Sequence, residues 1–155
     1  MEIRFAKKED TPAILRLLQQ VGQVHHLGRP DIFREGAQKY GASQVMDLMN
    51  KPGTAIFVAV QDDEVLGYCF CMLKKYEKDP VIADHTELYI DDICIDEEKR
   101  GQHIGKALYE AACRYAKESR CYNVTLNVWS FNEGAMRFYE SLGMKPMKVG
   151  MENIL

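Results

Sequence analysis

Residues 87–118 read ELYIDDICIDEEKRGQHIGKALYEAACRYAKE, and the parsing of this stretch decides the fold. Leu88, Ile90, Ile93 and Ile95 make an apolar strand, Asp96 to Glu98 an acidic turn, and Arg100-Gly101-Gln102-His103-Ile104-Gly105 a basic loop with two glycines. The loop opens into a helix, because Ile104, Leu108, Ala111 and Tyr115 recur at intervals of four, three and four, one face of a 3.6-residue period. Strand, glycine loop and helix in that order turn free N–H groups toward an anion: the first four amides of a helix have no internal acceptor, and the helix dipole adds positive potential there. Gly101 and Gly105 allow close backbone approach, and Lys99, Arg100 and Lys106 add full charges, so a phosphate-bearing ligand fits. The same residues also read as a plain strand-to-helix connection with turn glycines. A dinucleotide fingerprint needs three glycines, and a P-loop needs Ser or Thr after Gly-Lys, where Ala107 stands.

Working outward from this stretch, residues 123–129 (NVTLNVW) form another β-rich run. Asn132 caps a short helix whose buried face is Ala135, Phe138, Tyr139 and Leu142, and Gly143 suits a left-handed C-cap. Residues 144–154 are expected to be a last strand. On the N-terminal side, Ile3 and Phe5 alternate with charged residues in a half-buried strand. Thr11 and Pro12 start a helix with Ile14, Leu17, Leu18 and Val21 as its apolar stripe, and Gly22 to Pro30 breaks the pattern. A weaker helix over residues 42–49, strands over 55–60 and 65–73 joined by a polar turn, and a charged loop over 74–80 lead to the strand ending at Ile95. The order βααβββαβαβ predicts an α/β mixed sheet with helices on both faces.

At 155 residues the chain is expected to be a single domain, 1–155. A net charge of -3 with both signs interspersed gives no support to nucleic-acid binding, and mild acidity suits a cationic acceptor such as an amine. The five cysteines have no paired metal-ligand spacing and read as reduced thiols. Met1-Glu2-Ile3-Arg4 runs straight into charged sequence, and no apolar run approaches the roughly 18 residues of a membrane span, so a cytoplasmic protein away from membranes is expected.

Arg100 to Gly105 resembles the coenzyme A-binding motif of the GNAT N-acetyltransferases, Arg/Gln-x-x-Gly-x-Gly/Ala. Asn132 to Gly143, NEGAMRFYESLG, is similar to that superfamily's second signature, an Asn followed seven residues later by a Tyr and then a Leu-Gly turn. The two lie in the expected order, and the resemblance covers most of the chain, more loosely over residues 22–52. It departs at His103, where the family usually has Gly; a helical backbone at His103 would leave its amide able to donate. The resemblance implies the GNAT fold, with its fourth and fifth strands splayed around the coenzyme. It further implies acetyl-CoA as co-substrate without a metal, an amine acceptor, and frequent homodimers.

Acetyl transfer needs a neutral amine, a polarised carbonyl, a protonated leaving thiolate and aligned reactants. By resemblance, Tyr139 is the general acid; by helix spacing alone it is a core aromatic. The backbone of Ile93, Cys94 and Ile95 pairs with the pantetheine arm, while Arg100, Gly101, Gln102, His103, Ile104, Gly105 and Lys106 hold the diphosphate and Asn132 binds the coenzyme or simply caps its helix. Cys94 has no catalytic partner pattern and reads as a small buried residue. Asp91-Asp92 resembles the acidic pair of spermidine/spermine acetyltransferases, which makes Asp91 a candidate base, with Glu87 on the same predicted face a second. The pair reads equally as solvated or helix-capping, and the amine can also lose its proton to water. Ribosomal-protein alanine acetyltransferases carry a glutamate where this chain has Asn127, which leaves Asn127 as a substrate contact. His25 and His26 read as loop histidines and Trp129 as core or pocket wall. The alternative function is a non-catalytic acyl-CoA-binding regulatory module.

Overall fold

Asp62 and Asp63 both adopt left-handed backbone, with φ of 50° and 62°, the turn geometry whose twist matches paired strands. They join β2 (Thr54–Gln61) to β3 (Glu64–Tyr76) in the computed structural model, which describes residues 1–155. Around this hairpin lie β1 (Glu2–Phe5), α1 (Thr11–Gly28), α2 (Ala42–Asn50), β4 (His85–Ile95), α3 (Ile104–Glu118), β5 (Asn123–Thr125) and α4 (Glu133–Ser141). The strands form one mixed sheet in the order β1-β2-β3-β4-β5, antiparallel except for the parallel β4–β5 pair.

Strand alternation sends apolar side chains to both faces, and each face needs a helix to cover it. On one face Cys69, Cys71, Leu88 and Ile90 pack against Ile104, Leu108, Ala111, Ala112 and Ala116 of α3. On the other, Ile56, Val58, Tyr68, Phe70 and Cys94 pack against Ile14, Leu17 and Leu18 of α1 and Val45 of α2. Burying each large aliphatic side chain stabilises the fold by about 1.5–3 kcal/mol. This is the predicted mixed sheet with helices on both faces. The Arg16 guanidinium of α1 binds the Asp96 carboxylate, tying α1 to the turn that precedes the glycine loop and holding that carboxyl below its ordinary range.

Three expectations change. The first helix does not break at Gly22 but runs on to Gly28, so His25 and His26 lie in its last turn rather than in a loop. Gly22 is required by packing, since a Cβ there would sit 2.2 Å from the Ala37 carbonyl oxygen of the connection folded against α1. The β-run at 123–129 pairs only over Asn123–Thr125. Finally, residues 144–154 form no strand. Met144 instead completes the end of α4: its amide donates to the Tyr139 carbonyl while that of Gly143, at φ 87°, donates to Glu140. Pro146 removes one ladder donor, and Met147, Val149 and Met151 stay 72%, 76% and 89% exposed, so no apolar burial holds this segment on the sheet.

Candidate active site

The loop after β4 leaves its backbone donors free. The amides of Gly101 to Lys106 donate to no acceptor in the protein, and no side chain caps α3. Gly101 and His103 both take left-handed backbone, at φ 79° and 60°. Successive amides in such alternating conformations line a concavity that suits an anion. His103 is therefore not helical but the left-handed N-cap of α3, and its amide is still free to donate. Positive φ explains why a glycine is the less strained occupant there. Arg100, Gln102 and Lys106 are exposed around the cradle, whereas Ile104 and Gly105 are buried beneath it. A Cβ on Gly105 would meet Phe138 at 3.0 Å and Ile95 at 3.1 Å, so this residue sets how closely α3 approaches α4. Free amides, flanking cations and a helix N-terminus fit the diphosphate of an acyl-CoA.

Beside the cradle the sheet opens. β4 and β5 are paired only at Glu87–Asn123, Leu88–Val124 and Tyr89–Thr125, and β4 then continues alone along this edge to Ile95. The backbone of Ile93, Cys94 and Ile95 thus borders a gap. The Cys94 thiol is pushed up to about 12, chiefly by burial, and stays protonated, so it is no nucleophile.

A β-bulge shapes the acidic end of this gap. Phe70 pairs with Asp92 and Cys71 with Ile90, which leaves Asp91 as the extra residue. Simple alternation would put Asp91 and Asp92 on opposite faces. The bulge instead turns both toward α1 and α2. Asp91 Oδ2 accepts from the Tyr40 hydroxyl at 2.6 Å and pairs with Lys39 Nζ at 2.8 Å. Asp92 lies opposite Phe70 and beside the buried Tyr68 hydroxyl, which interacts with its carboxylate. Burial pushes the Asp92 carboxyl up to about 6, with Lys39 opposing and Asp91 reinforcing the rise. Because the folded state holds this proton more tightly, stability decreases as pH rises from about 4 to about 6. Asp92→Asn is expected to flatten that dependence and raise Tm at pH 8, as thermal melts from pH 4 to 8 would reveal; an unchanged profile would count against an enclosed carboxyl.

Tyr139 is buried in α4, and its phenol is held well above its ordinary value, first by burial and then by Cys69, Asp92, Cys94 and Tyr109. Cys69 lies on the α3 face of the sheet, while Asp92 and Cys94 lie on the α1 face, so groups from both faces raise the Tyr139 phenol. The structure therefore brings Tyr139 and Asp92 within electrostatic range of each other. Glu87 is drawn elsewhere: it is buried near the start of β4, where it accepts from Tyr76 at 3.3 Å with Lys74 at 3.9 Å. Asn127 donates to the Tyr89 hydroxyl at 3.1 Å, on the segment diverging from β4. Asn132 caps α4 by accepting from the Ala135 amide.

The outer wall of the gap is aromatic. His25 stacks on Phe33 at 5.0 Å, Phe33 meets Trp129 edge-on at 5.2 Å, and Trp129 stacks on Phe131 at 6.1 Å. Trp129 is 40% exposed, a wall residue rather than core. The sequence named Asp92 only as the partner of Asp91 in the acidic pair, and gave no signal for Lys39, Tyr40 and Tyr68, which the connection to α2 and the facing strand bring to it.

A family model for the Acetyltransferase (GNAT) family matches residues 21–144. The chain is 26% identical over 153 residues to the thialysine N-epsilon-acetyltransferase of Bos taurus, an alignment covering 94% of this chain and 84% of that protein. It is 24% identical over 148 residues to the glucosamine 6-phosphate N-acetyltransferase of Trypanosoma brucei brucei, covering 94% and 89% respectively. Among solved structures, the tetramutant of the BH1408 protein from Bacillus halodurans superposes with a TM-score of 0.95 at 34% identity, over 100% of both chains. With this match spanning both the glycine loop and the Tyr139 helix, the chain belongs to the Acetyltransferase (GNAT) family and is an acyl-CoA-dependent N-acetyltransferase.

Proposed function

We propose that the protein moves an acetyl group from acetyl-CoA to a primary amine by direct attack in a ternary complex. The observation that carries this reading is the run of free amides from Gly101 to Lys106, ending beside a gap that Tyr139 and Asp92 border. The diphosphate lies on those amides, and the pantetheine arm follows the open edge of Ile93 to Ile95 as an added strand would. The amine nitrogen bonds to the thioester carbonyl carbon, the C–S bond breaks, and the departing thiolate takes the proton of Tyr139. Asp92, raised toward neutrality, accepts the proton that the amine gives up, through water if the two are not in contact.

A non-catalytic acyl-CoA-binding module is the second reading. Pure binding needs neither a phenol held neutral nor a carboxyl raised within its electrostatic reach, which supports the catalytic reading. Calorimetry with acetyl-CoA and CoA, followed by thiol detection across a panel of amines, tests the assignment. Association with acetyl-CoA and amine-dependent thiol release are expected. No association at millimolar ligand would remove the coenzyme site, and binding without thiol release for any amine would favour the module.

A further inference from the structure

The bulge carboxylate already has an ammonium on it. Lys39 Nζ lies 2.8 Å from Asp91 Oδ2 and donates to the Asp91 carbonyl oxygen, also at 2.8 Å. The connection from α1 to α2 is thereby fastened to β4 at its bulge. Its Lys39 side chain is 43% exposed while that of Asp91 is 12% exposed, so the cation can swing away and the acid cannot. The hold of Asp91 on the cation is therefore set by the exposed Lys39 end, which an incoming ammonium can replace.

A bare cationic amine that takes Asp91 must displace Lys39 and leave that ammonium unpaired beside its own charge. An acceptor carrying an amine and an anion avoids this. Its ammonium replaces Lys39 on Asp91, and its anion receives Lys39, so one ion pair becomes two with no charge left over. The buried Tyr68 hydroxyl beside Asp92 makes the wall behind this pair polar.

We infer that the acceptor is a small primary amine that also bears a carboxylate or phosphate, and that Lys39 selects it by pairing with that anion. This rests on the acetyltransferase reading above and deepens it.

Two matched pairs of acceptors differ by the anion alone: L-lysine against 1,5-diaminopentane, and glucosamine 6-phosphate against glucosamine. In at least one pair the anion-bearing member is expected to have a kcat/KM about five- to tenfold higher, mainly through KM. Lys39→Met should abolish that ratio, and Lys39→Arg should restore most of it, with acetyl-CoA affinity unchanged in both. An equal or better rate for the anion-free members overturns the inference, as does a preference that survives Lys39→Met. It also fails if acetyl-CoA binds and none of the four compounds is acetylated. Loss of acetyl-CoA binding in the unaltered protein is a different result, because it removes the acetyltransferase site itself.

Discussion

Tyr139→Phe is expected to lower kcat by about 100-fold while leaving the dissociation constant for acetyl-CoA within about twofold, since positioned general acids contribute 10²- to 10⁴-fold. The substitution removes one hydroxyl from a buried ring and keeps its packing beside Phe138, so the fold has little reason to respond. In the proposed function the coenzyme rests instead on the free main-chain amides of the loop before α3, which the change does not touch. What is lost is the proton. Burial disfavours tyrosinate so strongly that the phenol is protonated at every working pH, which is the state a donor needs. The same burial makes it a weaker acid than an ordinary phenol, so it yields the proton only as negative charge develops on the departing sulfur while the C–S bond breaks. Single-turnover kinetics with acetyl-CoA and a working amine would separate chemistry from binding. A kcat within threefold of the parent would take Tyr139 out of the mechanism and return it to the core.

Leu108→Ala is expected to destabilise the protein by about 2–5 kcal/mol, the range for a buried leucine whose cavity cannot fully collapse. Leu108 is 0% exposed in the middle of the α3 face, between Ile104 and Ala112 and over the strands that carry Cys69 and Ile90. Its neighbours in α3 are alanines at 111, 112 and 116, too small to move into the void. Urea titration should show the midpoint falling with little change in the slope. Because α3 also presents the free amides at its N-terminus, the variant should bind acetyl-CoA more weakly by calorimetry at a temperature where it is still folded. A loss below about 1 kcal/mol would mean that α3 is not the main cover of this face of the sheet.

Much of this architecture was legible in the chain because it is written in short-range terms. The period of Ile104, Leu108, Ala111 and Tyr115 requires a helix whatever it packs on, and a helix led by Arg100 to Gly105 must begin with unsatisfied amides. Asn132 with the Ala135 amide, and Gly143 with Glu140, close α4 through contacts a few residues long. Local pattern failed where distant partners decide the outcome. Gly22 looked like a helix breaker, yet it is the position where the chain beyond α1 folds back within touching distance. Residues 144–154 alternate like a strand but find no edge to pair with in this chain.

The amino-acid sequence by itself determined the helices on either side of the gap and the free amides that open α3, because capping, periodicity and backbone donors depend on near neighbours. Only the tertiary structure decided that both carboxylates of the Asp91-Asp92 pair turn toward α1 and α2. Alternation counts residues along one strand, whereas the bulge at Asp91 arises from how β4 registers against β3. That one extra residue turns Asp92 inward, and a connection some fifty positions earlier in the chain sets Lys39 on its neighbour.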